Sequence, residues 1–189
     1  SLAEVEDAVN ILEKAGTPRS RIWLLHCTTQ YPAPYESVNL RAMDALATLG
    51  CAGVGYSDHT VGTDIAVAAV ARGARIVEKH FTLDRNLPGP DHRASLEPWQ
   101  LAELVSAIRR TEAALGDGVK EAADAERPNI DIARKSIVAI RPITKGEPFT
   151  EDNIYCKRPG GGISPMRWDE VIGRPAPRDF APDELITLD

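Results

Sequence analysis

Three short stretches of this chain carry side chains that can do chemistry. His26-Cys27-Thr28-Thr29-Gln30-Tyr31-Pro32 follows one apolar run. Tyr56-Ser57-Asp58-His59-Thr60 ends a second segment, and Glu78-Lys79-His80 sits within a third. Imidazole is a common ligand for divalent transition metals. Side chains alternate along a strand, so Ser57 and His59 share a face, as do Glu78 and His80, and His26 and Thr28. If those faces converge, two or three imidazoles meet. Two His from adjacent strands, with coordination positions left over, describe a catalytic metal site rather than a closed structural one. His59 and His80 are the candidate pair. His26 either joins them, supports them from outside, or is bonded to backbone. The loop Leu87-Pro88-Gly89-Pro90-Asp91-His92 is stiffened by Pro and Gly and holds Asp91 toward the same region. That carboxylate either binds sugar hydroxyls and moves a proton, or caps a turn. Cys27 invites a reading as a nucleophile, but a small buried hydrophobe in a strand is the simpler expectation.

The elements that must position these residues alternate in type. Apolar residues at Val5, Ala8, Val9 and Leu12 give one helix face over 3–15, with Gly16 as its stop. Ile22-Trp23-Leu24-Leu25 is a continuous apolar run, as in strands buried on both faces. A helix is expected from Glu36 to Leu49, a strand from Gly53 to Ser57, and a helix from Asp64 to Arg72, stopped by Gly73. A third strand is expected from Arg75 to Phe81, then a helix from Pro98 to Leu115, ended by Gly116. Strands alternating with helices predict a parallel α/β sheet. Ligands bind at the carboxyl ends of such strands, which is where the polar residues stand. Three strands cannot close a barrel, so the pattern reads as one that starts in mid-domain.

Residues 117–134 are charged and read as a linker. From 135 to 189 the pattern changes to a small, mostly β domain: a short strand at Ser136 to Ile140, turns at Thr144–Glu147 and Pro159–Gly162, and a helix start at Ser164-Pro165 with Gly173 as its stop. A domain of about 55 residues is marginal alone and is expected to dock on something. Lys157-Arg158-Pro159-Gly160-Gly161-Gly162 lacks the Gly-Lys-Ser/Thr of a phosphate-binding loop, which excludes nucleotide binding there. It is either a flexible glycine loop presenting Arg158 or a solvated turn.

Composition removes other classes. The 189 residues carry 22 Lys and Arg against 28 Asp and Glu, a net charge of −6 with no basic block, so no nucleic-acid footprint is present. The longest apolar run, near Ile65 to Ala71, falls far short of the ~20 residues of a bilayer span, so no membrane partner is expected. The acidic, amphipathic start is not a signal peptide. Cys27, Cys51 and Cys156 are odd in number with no C-x-x-C pair, which argues against a disulfide framework or zinc knuckle and fits a cytoplasmic protein.

Four motifs, in order, resemble the N-acetylneuraminate (sialic acid) synthase family: HCTTQYPAPYESVNLRAM, GYSDHT, EKHFTLDRNLPGPDHRASLEP and KRPGGGISP. The resemblance covers essentially the whole chain. It implies the C-terminal part of a (β/α)8 TIM barrel at 1–116, a linker at 117–134, and an antifreeze-like SAF (β-clip) domain at 135–189. It implies a transferase that condenses phosphoenolpyruvate with N-acetylmannosamine or a related 2-acetamido sugar, giving a nonulosonic acid and phosphate. A divalent cofactor, Mn2+ or Mg2+, is implied on His59 and His80. Ser57 would contact the phosphate of phosphoenolpyruvate, Glu78 would line the substrate site, and Tyr31 and Asp91 would contact the mannosamine. Arg158 would bind the N-acetyl group from across a domain-swapped homodimer. Thr29 departs from members that carry Asn at the phosphate contact. Nothing here matches the family's early-strand acidic base or its phosphoenolpyruvate-holding lysines, so the chain is expected to be inactive alone. The GPDH-x-A-S-L-E-P stretch looks more like the sialic or legionaminic branch than the pseudaminic one. Two rivals remain: a non-catalytic carbohydrate-binding module, and another metal-dependent barrel aldolase.

Overall fold

The computed structural model describes residues 1–189, which divide into two compact units, Ser1–Val119 and Lys120–Asp189. In the first, α1 (Leu2–Lys14) starts on a capping box, with Ser1 and Glu4 satisfying each other's backbone donors. Strands β1 (Trp23–Cys27), β2 (Gly53–Asp58) and β3 (Val77–Lys79) form a parallel sheet in that order. Its register pairs Cys27 with Ser57, Ser57 with Glu78, and Asp58 with Lys79. Helices α2 (Ala42–Ala47), α3 (Asp64–Ala71) and α4 (Pro98–Leu115) complete the unit.

The register decides what each face carries. Val54 and Tyr56 pack with Val38, Met43, Leu46 and Ala69 under α2 and α3. Leu104 of α4 closes a second cluster with Ala66 and Leu96. Each buried Val, Leu or Met side chain among them contributes roughly 1.5–3 kcal/mol relative to exposure. On the opposite face the side chains are Cys27, Ser57 and Glu78, above the glycines of β2. A Cβ at Gly53 would come within 2.4 Å of the Trp23 ring, so the indole lies over β2 only because that position is glycine.

Two elements are shorter than the sequence suggests. The helix expected from Glu36 to Leu49 resolves into a 3-10 turn at Tyr35–Ser37 and then α2. Asn39 takes a left-handed φ of 49° between them, which breaks the helical hydrogen-bond ladder. The strand expected from Arg75 to Phe81 is regular only from Val77 to Lys79 because the chain changes partners. Beyond Lys79, the His80 carbonyl accepts from the Leu96 N–H at 2.9 Å, and Phe81 forms a parallel bridge with Leu96.

The second unit contains a short helix α5 (Ile130–Ala133), an antiparallel pair β4 (Ser136–Ala139) and β5 (Ile154–Lys157), and α6 (Trp168–Val171). Isolated antiparallel bridges join Val138 to Leu185 and Ile143 to Phe180. Its core includes Ile137, Ile143, Phe149, Ile154, Phe180 and Ile186, all buried. Asn153 is fully buried and caps the preceding turn, accepting from the Thr150 N–H and donating to the Pro148 carbonyl. No helix in either unit is long and apolar enough to cross a membrane.

Candidate functional site

His59 follows β2 and His80 follows β3, so the ends of two neighbouring strands deliver both rings. Their centroids lie 5.4 Å apart in an edge-on arrangement. Tyr31, from the loop after β1, packs on both, at 4.0 Å from His59 and 4.7 Å from His80. His59 Nδ1 lies 2.7 Å from the Thr28 carbonyl oxygen. A carbonyl only accepts, so Nδ1 carries the proton and Nε2 keeps its lone pair. The Tyr31 hydroxyl donates to that lone pair at 2.8 Å. Burial raises the Tyr31 phenol above its ordinary range, and the neighbouring Cys27, Asp91 and Glu78 add to this, so it stays a donor at neutral pH.

Ser57 and Glu78 meet across the sheet, with the hydroxyl donating to Oε1 at 2.6 Å. A phosphate contact at Ser57 therefore requires its proton to turn away from Glu78. Asp91 places Oδ2 4.0 Å from His80 Nδ1. It precedes the 3-10 turn at His92–Ala94, yet its side chain caps nothing there. Its backbone carbonyl is what holds the turn, accepting from the buried Ser95 hydroxyl at 2.7 Å. His92 anchors the same loop through Thr82 at 2.7 Å. Thr29 is exposed in the loop after β1.

One open reading is resolved and one expectation is corrected. Of its three alternatives His26 takes the last, a bond to backbone, and does not join the imidazole pair. The register puts it opposite Tyr56 on the helix-covered face, where its Nε2 lies 2.6 Å from the Val38 carbonyl. Cys27 is not a buried filler. It is exposed on the other face, its sulfur 3.7 Å from His59 Nδ1.

Sequence reasoning missed a buried polar network behind the pair. Lys79 Nζ donates to Asp58 Oδ2 at 2.7 Å, with side chains only 4% and 0% exposed. Lys79 also donates to the Thr60 carbonyl at 2.8 Å. The other carboxylate oxygen of Asp58 accepts from the Thr60 N–H and hydroxyl and, at 3.3 Å, from the Tyr56 hydroxyl. The available signal was parity: alternation directs Asp58 and Lys79 to the apolar face, where unpaired charge is not tolerated.

In the second unit, Arg158 follows β5 and is exposed. Its Nε donates to the Ala133 carbonyl at 3.0 Å. The glycine loop after it is tethered rather than flexible. The fully buried Ser136 hydroxyl donates to the Pro159 carbonyl and accepts from the Gly162 N–H, each at 3.0 Å. The Gly160 N–H also donates to the Asp131 carbonyl.

Residues 1–120 match the NeuB family over most of the chain's length. The chain belongs to the NeuB family. Residues 134–189 match the SAF domain. An N,N'-diacetyllegionaminic acid synthase from Campylobacter jejuni is 53% identical over 98% of this chain and 56% of its own length. The human N-acetylneuraminate-9-phosphate synthase is 43% identical over 70% of this chain and 37% of its own length. A crystal structure of N-acetylneuraminic acid synthetase from Leptospira borgpetersenii, in complex with citrate, aligns with a TM-score of 0.60 and 41% identity, covering 69% of this chain and 45% of that one. The fold is thus the expected class, a NeuB-type α/β barrel portion followed by a small SAF domain. The chain spans about half the length of the curated relatives it matches.

The NeuB resemblance implies a divalent metal, and the donors here fit one in a particular way. No group of three or more His, Cys, Asp or Glu side chains is arranged to hold an ion. The chain offers two imidazoles, and the His59 lone pair is fixed by a carbonyl behind the ring, as is usual for metal-bound histidine. An ion held by such a pair would keep coordination positions open.

Proposed function

We propose that this NeuB-family chain contributes the metal and acceptor site of a nonulosonic acid synthase. The reaction joins phosphoenolpyruvate to the open-chain aldehyde of an N-acetylmannosamine-type sugar and releases phosphate. One observation carries the reading: His59 and His80 meet at adjacent strand ends, with Thr28 fixing the His59 tautomer so that Nε2 presents a lone pair on the His80 side, where the Tyr31 hydroxyl now bonds it.

His59 and His80 would hold Mn2+ or Mg2+. When bound there, the metal polarises the acceptor's carbonyl, which the weakly nucleophilic enol carbon of phosphoenolpyruvate requires. Tyr31 and Asp91 orient the sugar. Asp91 handles a hydroxyl proton, a contribution of about 10²–10⁴-fold for such groups. As the carbon–carbon bond forms, the aldehyde oxygen takes up a proton from a neighbouring acid or solvent. Water then adds at the former enol-phosphate carbon and returns that proton, and the carbon–oxygen bond to phosphate breaks, the phosphate leaving with the second proton of the water as the ketone forms. Ser57 turns its hydroxyl from Glu78 to the phosphate, while Glu78 and Thr29 line that side. Arg158, on the SAF domain of a partner subunit in a domain-swapped dimer, receives the N-acetyl group with its two terminal nitrogens.

The test uses the full open reading frame that encodes this chain, because the chain corresponds to 56% of its Campylobacter relative. Phosphate release from phosphoenolpyruvate is followed with manganese and N-acetylmannosamine, its 6-phosphate or 2,4-diacetamido sugars. Release with one acceptor, abolished by EDTA, is expected, whereas the chain alone should release none. A folded, metal-loaded protein that releases phosphate with no acceptor would leave the binding-module reading standing instead.

A further inference from the structure

We infer that the buried Asp58–Lys79–Thr60 network is the positioning device that sets the separation of His59 and His80. The inference rests on the proposed metal-binding role of that pair.

Regular pairing between β2 and β3 ends at Asp58 and Lys79. The two imidazoles sit on the very next residues, past the last rung of the ladder. From there the strands diverge, since His80 already bonds the Leu96 backbone. Side-chain bonds take over where the ladder stops. Lys79 reaches across to the Asp58 carboxylate and to the Thr60 carbonyl, so it grips the residues on both sides of His59. Asp58 in turn holds the Thr60 backbone and hydroxyl. The peptide carrying His59 is thereby tied to the strand carrying His80 at two points and braced within itself by the Asp58–Thr60 bonds, all on the face away from the rings.

Stability does not explain such an arrangement. A fully buried ion pair gains little over apolar residues of the same shape, because desolvation offsets its attraction. What it supplies is a directional constraint that apolar packing lacks. Neither charge points toward the imidazole face, so neither residue touches substrate or metal. They act through the backbone of the His residues.

The test compares manganese affinity in the full-length protein, read from the EPR signal of free Mn2+, with the thermal midpoint measured on the same samples. Asp58→Asn with Lys79→Met removes the ion pair and keeps a carbonyl-type acceptor for Thr60. Its affinity should fall by about 10–100-fold, the usual range when groups behind a metal ligand are lost, with little change in midpoint. Lys79→Arg, which keeps the pair, should retain most of the affinity. Thr60→Val deletes one bond and preserves shape. It should weaken binding several-fold, and it decides the matter if the double variant does not fold. Wild-type affinity in a folded double variant or in Thr60→Val overturns the positioning role. A wild-type protein that binds no manganese overturns the metal reading itself, a distinct failure.

Discussion

If His59 and His80 hold a divalent metal as proposed, Tyr31 stands in its way, and this makes an unusual prediction. Its hydroxyl donates to His59 Nε2 at 2.8 Å, the lone pair that the proposed metal would need. Binding must break that bond. Tyr31→Phe removes the hydroxyl but keeps the ring that stacks 4.0 Å from His59 and 4.7 Å from His80. A net neutral hydrogen bond corresponds to a factor on the order of 2 to 10 in an equilibrium constant. The variant should therefore bind manganese about 2- to 10-fold more tightly than wild type without substrate. The same hydroxyl is proposed to contact the sugar, so KM for the acceptor should rise in the same protein. Calorimetric titration with manganese alone, followed by steady-state kinetics on the full-length enzyme, separates the two effects. Unchanged or weaker manganese binding in Tyr31→Phe would show that Tyr31 does not compete with the metal for His59.

Two further outcomes concern the SAF domain. Ser136→Ala deletes two bonds from a fully buried hydroxyl, which should cost about 1–3 kcal/mol locally. Faster hydrogen exchange in the Pro159–Gly162 loop and a raised acceptor KM would register the loss. Unchanged exchange there would mean that the loop is held by other contacts. Glu147 is held below the ordinary glutamate value of 4.5, first by the Thr144 N–H and then by Arg141. A depressed folded value means that its stabilisation is complete above the unfolded value and is lost as pH falls through the folded one. Glu147→Gln should therefore exchange faster than wild type at neutral pH, and the gap should close as pH drops below 4.5. A gap that persists in acid would point to packing rather than charge.

The meeting of His59 and His80 was legible because both follow short strands whose neighbours are apolar, and alternation places them with Ser57 and Glu78. What alternation cannot supply is parity between strands. That is set by register, and a slip of one residue exchanges the faces. For want of that information His26 stayed open between joining the other imidazoles and bonding backbone; the register, which pairs Cys27 with Ser57, sends it to the backbone. The Asp58–Lys79 pair escaped notice although alternation puts Asp58 with Val54 and Tyr56, and Lys79 with Val77: two charges in polar stretches look solvated until the sheet puts helices over them. Asn39 broke a helix that periodicity alone extended. Strand β5 left no pattern because, of its four residues, only Ile154 is fully buried. The α/β alternation, the Pro98–Leu115 helix and the change of character toward the SAF domain were strong signals, each marked by Gly or Pro punctuation.

The most direct measurement is electron spin-echo spectroscopy of Mn2+ in the full-length protein labelled with 15N-histidine. Two imidazole nitrogens coupled to the metal are predicted, with one lost in His59→Ala and the other in His80→Ala. Manganese bound with no histidine coupling, or coupling that survives both substitutions, would contradict the account.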